Sequence, residues 1–314
     1  MDLLKFKETC DLAYDTGIPL ITDTQYDNLF GESATIGRTG YRDDITHAFP
    51  MWSLQKYYPE DGETPLNINM CVATPKLDGN AVCVLYINGK FSRASTRGNG
   101  VAGKDVTNKV ATLVPPYIDT YFPILQVNGE VVASKDVDNS RNQVAGLLGL
   151  KYQVDFVVRS TEIGVRFVAY SVSNNRYTSY LDDLEYLQEE GFLVVTDSDL
   201  ECSFPTDGVV YRINDNSKFE EMGYTSKHPR GAFAWKEKQE AVTTTLLDVI
   251  WQVGKSGKVT PVAILDPVVI GEATVAKATL NNMAFINALD LEIGCSVNVI
   301  RAGEIIPEIV SRNY

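Results

Sequence analysis

An α+β chain that opens with helices and closes in an all-β barrel is the fold class the sequence predicts. Three observations carry it. Helical patterning dominates the first 30 residues, alternating apolar segments around an Asn-Gly turn begin near residue 80, and short, evenly spaced strands fill the chain beyond about residue 240. With 314 residues, 44% hydrophobic and 22% charged, the chain has an ordinary globular composition and room for two or three domains.

Leu3, Leu4, Leu12 and Tyr14 fit one helical face, and TDTQYDNLF restarts a helix with Thr22 and Gln25 as a capping box. The polar, Pro- and Gly-marked stretch YYPEDGETPLN (57–67) reads as a linker. Lys76 stands just ahead of a strand-like run, and AVCVLYI and KFSRAST flank Asn88-Gly89 as a hairpin. Further strands are expected at 124–133, 166–172, 207–213 and 232–237, with NSRNQVAGLLGL and YLDDLEYLQEEGF as helices between them, the second ended by Gly191. This mixture predicts antiparallel sheets in an α+β domain. Beyond residue 240, five short strands and one short helical segment, NNMAFINAL, suit a small closed barrel such as an OB-fold. The resulting division is 1–58, 59–238 and 239–314.

Composition excludes several functions. The five cysteines form no CxxC pair, which excludes a zinc ribbon within this sequence and argues against a disulfide framework. Two histidines, His47 and His228, are too few for histidine metal clusters. The N-terminus MDLLKFKETCDLAY lacks the apolar core of a secretory signal. No run approaches the ~18 apolar residues of a membrane span, so a cytoplasmic protein with no membrane partner is expected. The net charge of −13 points away from nucleic acid, but residues 1–65 hold twelve Asp/Glu against five Lys/Arg, over half of that excess. Local patches therefore decide contact. GNGVAGKD (98–105) nearly spells a phosphate-binding P-loop, yet Asp105 stands where the magnesium-binding hydroxyl belongs, and the segment follows a hairpin strand.

The chemistry concentrates in polar residues at strand ends: Lys76, Arg97, Glu130, Asp207, Arg212 and Lys236. A lysine nucleophile must shed its proton, which the ordinary side-chain value of ~10.4 opposes near neutrality. Partial burial and neighbouring cations are the available means. Arg212 and Lys236 are candidate cations that can also hold a phosphate, and Glu130 and Asp207 are candidate metal or sugar ligands.

In the order KLDG (76–79), TRGNG (96–100), NGEVV (128–132), DGVVYRIND (207–215) and AWKEK (234–238), these segments resemble the lysine nucleotidyltransferases: DNA ligases, RNA ligases and capping enzymes. HAFPMWSLQK (47–56), NSRNQVAGLLGL, WQVGKSGKVTPVAILDPV, ATLNN, VIRAGEIIPEIV and PLITDTQYDNLF are similar to segments of the NAD+-dependent DNA ligases, and this resemblance covers nearly the whole chain. It implies a helical NMN-binding cap (1–58), a nucleotidyltransferase domain (59–238) and an OB-fold (239–314). It also implies a lysyl-AMP mechanism using NAD+ and Mg2+.

Residue by residue, the resemblance makes Lys76 the nucleophile and gives Asp78 and Glu130 the ribose and hydrated metal, with Asp207 as a further water-mediated metal ligand. Arg97 would hold the nucleotide and Tyr170 would wall the adenine. Asp207, Arg212 and Lys236 would act around the phosphates, and Ser53 and Leu54 would line the adenylate pocket. Tyr14, Asp23, Tyr26 and Asp27 would cradle NMN. Arg141, Lys255, Ser256 and Arg301 would meet DNA. The sequence departs from the family at Thr74, where an acidic residue is usual, at Ala13, at Arg212 in place of a lysine, and at Gly149 in place of an arginine. The expected partner is nicked duplex DNA, with a second polypeptide bearing zinc-finger and helix–hairpin–helix elements. The alternatives are an ATP- or GTP-using relative, either an RNA ligase or a capping enzyme, and a non-catalytic OB-type nucleic-acid-binding subunit.

Overall fold

The structure, a computed structural model, describes residues 3–15, 19–30, 44–59, 62–173, 177–236, 241–253, 259–270, 273–302 and 306–313. The chain divides into two compact units, Met1–Lys236 and Glu237–Tyr314.

The first unit begins with α1 (Leu3–Asp15) and α2 (Asp23–Phe30), followed by strands β1 (Asp44–Thr46), β2 (Gln55–Tyr57), β3 (Cys71–Leu77), β4 (Asn80–Ile87), β5 (Lys90–Thr96) and β6 (Ala102–Lys104). Next come α3 (Thr107–Val110), β7 (Ile124–Val132), α4 (Ser140–Leu148), α5 (Gln153–Glu162), β8 (Arg166–Val172), α6 (Tyr180–Glu189) and β9 (Leu193–Val194). The unit closes with α7 (Leu200–Ser203), β10 (Thr206–Ile213), α8 (Asn216–Met222) and β11 (Ala232–Trp235).

The predicted capping box forms: the Thr22 amide donates to Gln25 Oε1 at 2.9 Å and the Gln25 amide to Thr22 Oγ1 at 3.3 Å. The apolar side of α1 and α2 (Phe6, Cys10, Leu29) packs on Leu85, Ile87 and Ile124 of the sheet behind them.

Two sheets carry the unit. One has the order β5-β4-β7-β8-β9 and the other β2-β11-β10-β3. The expected hairpin joins β4 to β5 through Asn88 and Gly89, both at positive φ, as a two-residue turn between twisted strands requires. β4 and β7 run through the middle of the five-stranded sheet and are buried almost throughout. Val82, Val84, Val127 and Val131 meet Val144, Phe156, Leu184 and Leu187 of the covering helices.

Three expectations need correction. Lys76 lies inside a strand, the sixth residue of β3, and not ahead of one. The stretch 57–67 is not a free linker: Tyr57 belongs to β2, paired in parallel with Trp235, and Tyr57 and Leu66 pack with Phe233 and Ile213. The segment 98–105 feeds no helix N-terminus, since Lys104 pairs with Asp44 across β1 and β6.

The second unit contains β12 (Val242–Val253), β13 (Val259–Ile270), β14 (Ala273–Thr279), α9 (Met283–Ala288), β15 (Ser296–Ala302) and β16 (Ile306–Asn313). Its five strands close in the order β12-β13-β14-β16-β15, as an OB-fold requires. Leu246, Leu265, Leu280, Val297, Val299 and Ile309 fill the interior. Asn282 caps α9 by accepting from the Phe285 amide at 3.0 Å. Among the described residues no helix is long and apolar enough to cross a membrane.

Candidate active site

Register across the four-stranded sheet fixes which side chains share a face. Lys56, Ala234, Val210 and Thr74 form one cross-strand row, because bridge partners point to the same side. The alternation puts Lys236 on that face beside Ala234, and Lys76 beside Thr74. Both lysines converge on one carboxylate from the start of β10: Lys76 Nζ lies 2.7 Å from Asp207 Oδ1 and Lys236 Nζ 2.5 Å from Asp207 Oδ2. Asp207 is almost wholly enclosed, its side chain 3% exposed, while that of Lys76 keeps 26% open.

Two glycines make this arrangement possible. At Gly208, where φ is +144°, a Cβ would stand 2.2 Å from the Trp235 carbonyl oxygen, so only glycine lets β10 approach the end of β11 that leads into Lys236. At Gly79, in the turn between β3 and β4, a Cβ would meet the Val131 carbonyl oxygen at 2.4 Å and the Glu130 side chain at 2.9 Å. The KLDG turn is thereby seated directly against Glu130 on β7.

Glu130 makes no hydrogen bond or ion pair with another described residue. Burial pushes its pKa up to about 7, against the pull of Lys76, Arg141 and Arg97 nearby. Tyr170 on β8 is its neighbour, and burial followed by the Glu130 charge raises the phenol above the ordinary tyrosine range. Asp78 is held by Arg141 of α4, whose Nη1 donates to Asp78 Oδ1 at 2.9 Å. The Arg141 carbonyl in turn accepts from Asn80 Nδ2 at 3.0 Å. Arg141, expected on DNA, thus joins the Lys76 cluster through the KLDG motif itself.

Arg97 is exposed at the loop after β5, and its backbone is pinned from both sides. Its amide donates to the Ala81 carbonyl at 2.8 Å, and its carbonyl sits 3.0 Å from His47 Nε2. His47 is buried and held neutral, since burial lowers its pKa. Because Nε2 donates to that carbonyl, Nδ1 is the acceptor for Cys83 Sγ at 3.2 Å and Ser95 Oγ at 3.1 Å.

Other expected site residues are placed differently. Arg212 shares the face of Lys76 but pairs with Val72, further along β3. Its guanidinium is buried between the rings of Tyr180 and Phe219, 4.1 Å from each centroid, and donates to Asn216 Oδ1 at 2.9 Å. No phosphate-binding lysine equivalent is free there. The Ser53 hydroxyl donates to the Lys227 carbonyl at 3.1 Å, and the Ser53 carbonyl accepts from His228 Nδ1 at 2.8 Å. Leu54, half-buried, precedes β2 on the same edge.

The Tyr26 hydroxyl donates to Asp11 Oδ1 of α1, and its ring packs edge-on against Phe30 at 4.9 Å. Tyr14 lies on α1, and Asp23 and Asp27 on α2, placed by backbone alone. Lys255 and Ser256 lie outside the described residues. Arg301, on β15, donates from Nη1 to the Ile270 carbonyl at 3.4 Å. As a three-carboxylate metal set, Asp78, Glu130 and Asp207 are not assembled: among the described residues no three of His, Cys, Asp and Glu converge, and Asp207 is committed to two lysines.

Lys56 and the His47–Cys83–Ser95 network were missed by the sequence reading. Neither has a local signal, because what matters in both cases is pairing between distant strands.

Residues 41–203 match the family model described as the NAD-dependent DNA ligase adenylation domain, and residues 243–313 that of the NAD-dependent DNA ligase OB-fold domain. Similar curated proteins include a DNA ligase of Methylacidiphilum infernorum, 32% identical over 98% of this chain and 55% of that protein. A DNA ligase of Thermomicrobium roseum is 37% identical over 76% of this chain and 41% of its own length, and one of Aquifex aeolicus is 30% identical over 93% and 50%. The chain spans about half the length of the curated relatives it matches. Among solved structures, one from a study of Lig E DNA ligases superposes with a TM-score of 0.52 at 15% identity, covering 83% of this chain and 98% of that one. That likeness is one of fold.

Proposed function

The chain belongs to the NAD-dependent DNA ligase family, and from that premise we propose that it takes AMP from NAD+ onto Lys76 and passes it to the 5′-phosphate of nicked DNA for sealing. The observation that carries this reading is the bridging of Lys76 and Lys236 by the enclosed Asp207. Asp207 aims the nucleophile and is near enough to receive its proton. Lys76 Nζ then bonds to the α-phosphorus as the bridging P–O bond breaks, and the electron pair leaves on the phosphate of NMN. Lys236, on the other oxygen of Asp207, stands ready for the charge that builds on the α-phosphate. In the second step AMP moves to the 5′-phosphate, and in the third the 3′-hydroxyl displaces AMP.

In this reading Glu130 and Asp78 face the ribose and Arg97 the nucleotide, with Tyr170 walling the adenine and Ser53 and Leu54 lining the pocket. Glu130, unpartnered among the described residues, and Asp78, with one oxygen on Arg141, suit a hydrated Mg2+, which takes one or two carboxylates and keeps several waters. Bound there, the ion would neutralise developing phosphate charge. Residues 1–58 serve as the NMN cap through Tyr14, Asp23, Tyr26 and Asp27. Residues 59–238 form the nucleotidyltransferase domain, and the barrel meets DNA phosphates through Arg301, Lys255 and Ser256.

The test is incubation with NAD+ labelled in its AMP half, followed by denaturation. The unmodified chain should carry the label and Lys76→Ala none. Equal label on both would remove Lys76 from the chemistry, and labelling from ATP in place of NAD+ would overturn the choice of substrate.

A further inference from the structure

The row that holds the active face together ends on a lysine to which the reaction scheme gives no role. Lys56 stands on β2, the edge strand next to β11, on the same face as Lys236 and Lys76. Only Ala234 and Val210 separate it from Thr74 in its row, so no tall side chain screens it from the other two lysines. It makes no hydrogen bond or ion pair with another described residue. Asp207, the carboxylate at this place, is already shared by Lys76 and Lys236. A chain with 41 acidic against 28 basic residues therefore concentrates uncompensated positive charge on one sheet face, an arrangement that like-charge repulsion disfavours unless an anion binds there. Although Lys56 is exposed, its pKa is lowered by partial burial and then by Lys236 and Lys76, so its ammonium leans over the cluster.

We propose that Lys56 binds the second phosphate of the dinucleotide, the one that departs with the nicotinamide half; this rests on the adenylation reading above. The order of strands supplies the direction. Lys76 on β3 and Lys56 on β2 are three strand spacings apart, ~14 Å, with Lys236 between them. An α-phosphorus attacked by Lys76 expels its leaving group in line, away from the nucleophile, across β10 and β11 toward β2. The leaving oxygen gains negative charge as the P–O bond breaks, and Lys56 stands at the far end of that line to receive it.

The experiment uses the whole chain and NAD+ labelled in its AMP half, comparing initial rates of labelling for the unmodified protein, Lys56→Gln and Lys56→Arg. The glutamine variant should raise KM for NAD+ about tenfold, the size of one charge-assisted hydrogen bond, with a much smaller change in kcat, and arginine should restore most of the loss. In reverse, stripping AMP from the adenylated protein should need about tenfold more NMN in the glutamine variant. Unchanged KM and unchanged NMN dependence would overturn the proposal. An equal loss in sealing a pre-adenylated nick, which contains no second dinucleotide phosphate, would also overturn it by moving Lys56 to the DNA strand. Absence of label on the unmodified chain would sink the adenylation reading itself, whereas label with identical kinetics in the variant sinks the role of Lys56 alone.

Discussion

Asp207 is the residue on which two lysines depend, and its neutral isostere isolates that dependence. Asp207→Asn keeps the shape but removes the charge, leaving Lys76 unaimed and without a proton acceptor. Labelling from NAD+ should fall at least about 100-fold, the usual scale for losing a positioned acid–base group. A loss under threefold in single-turnover labelling would return Asp207 to a structural role. Glu130 gives a pH-dependent counterpart. Its folded pKa of about 7 lies above the ordinary carboxylate value, so its protonated form is the stabilising one, fully favourable below about 4.5 and lost as pH rises through 7. Glu130→Gln should therefore match the unmodified protein in thermal stability at pH 5 and exceed it at pH 8 by about 1–3 kcal/mol. An equal difference at the two pH values would show that Glu130 does not titrate in that window. His47→Ala should cost about 2–4 kcal/mol in denaturant unfolding, because it leaves buried Cys83, Ser95 and the Arg97 carbonyl without partners. At this scale the sequence revealed Lys76, Asp78, Glu130, Asp207 and Lys236 through their motifs. It did not reveal Lys56 or His47, whose importance lies in what a distant strand brings beside them, nor that Arg212 is packed between two rings.

Among the elements, β10 and β11 are joined so closely that the joint can be broken by one methyl group. Gly208→Ala must place a Cβ against the Trp235 carbonyl at a backbone angle that L-residues rarely adopt. It should destabilise the first unit by about 2 kcal/mol or more and weaken labelling with it, read by thermal melting and the NAD+ assay. An unaltered melt would mean that the two strands can part without consequence. Elements with a local signature were legible in advance: the Asn-Gly hairpin, β7, β8, β10, β11, the capping box at Thr22, and the five strands of the barrel. Elements without one were not. β2 has three residues held by parallel pairing to β11, and α5 presents Val154 and Val158 to solvent, so neither shows the apolar period of its class. The stretch 57–67 reads as a linker because its Pro, Gly and acidic content is that of a loop, while Tyr57 and Leu66 anchor it to the sheet.

For the whole molecule, charge is the governing quantity. A net charge of −13 repels DNA at long range, and the described cations of the barrel are engaged: Arg301 with the Ile270 carbonyl, and Arg312 with Asp290 and Glu292. Each phosphate contact contributes about −0.9 to the slope of log K against log salt. Nick binding by this chain should thus be weak and shallow in its salt dependence, and sealing slow until a polypeptide bearing zinc-finger and helix–hairpin–helix elements is added. A steep slope with rapid multiple-turnover sealing by the chain alone would contradict this. The overall charge was legible from composition. The positive face was not, because Lys56, Lys76, Arg141 and Lys236 are far apart in sequence and meet only through two sheets.

The strand order β2-β11-β10-β3 also carries a history. The outer strands come from the early part of the first unit and the inner two from its very end. On the ribosome, β2 and β3 must therefore wait, unpaired, until β10 and β11 have left the exit tunnel. Pairings of such long sequence separation are slow to form and leave strand edges open to wrong partners in the interval. The five-stranded sheet, complete once β9 is made, should resist protease on stalled nascent chains well before the region around Lys76 does. Lys76 should stay unable to take AMP until synthesis has passed Lys236. The nucleophile is translated early and armed last, so an unfinished chain cannot consume NAD+.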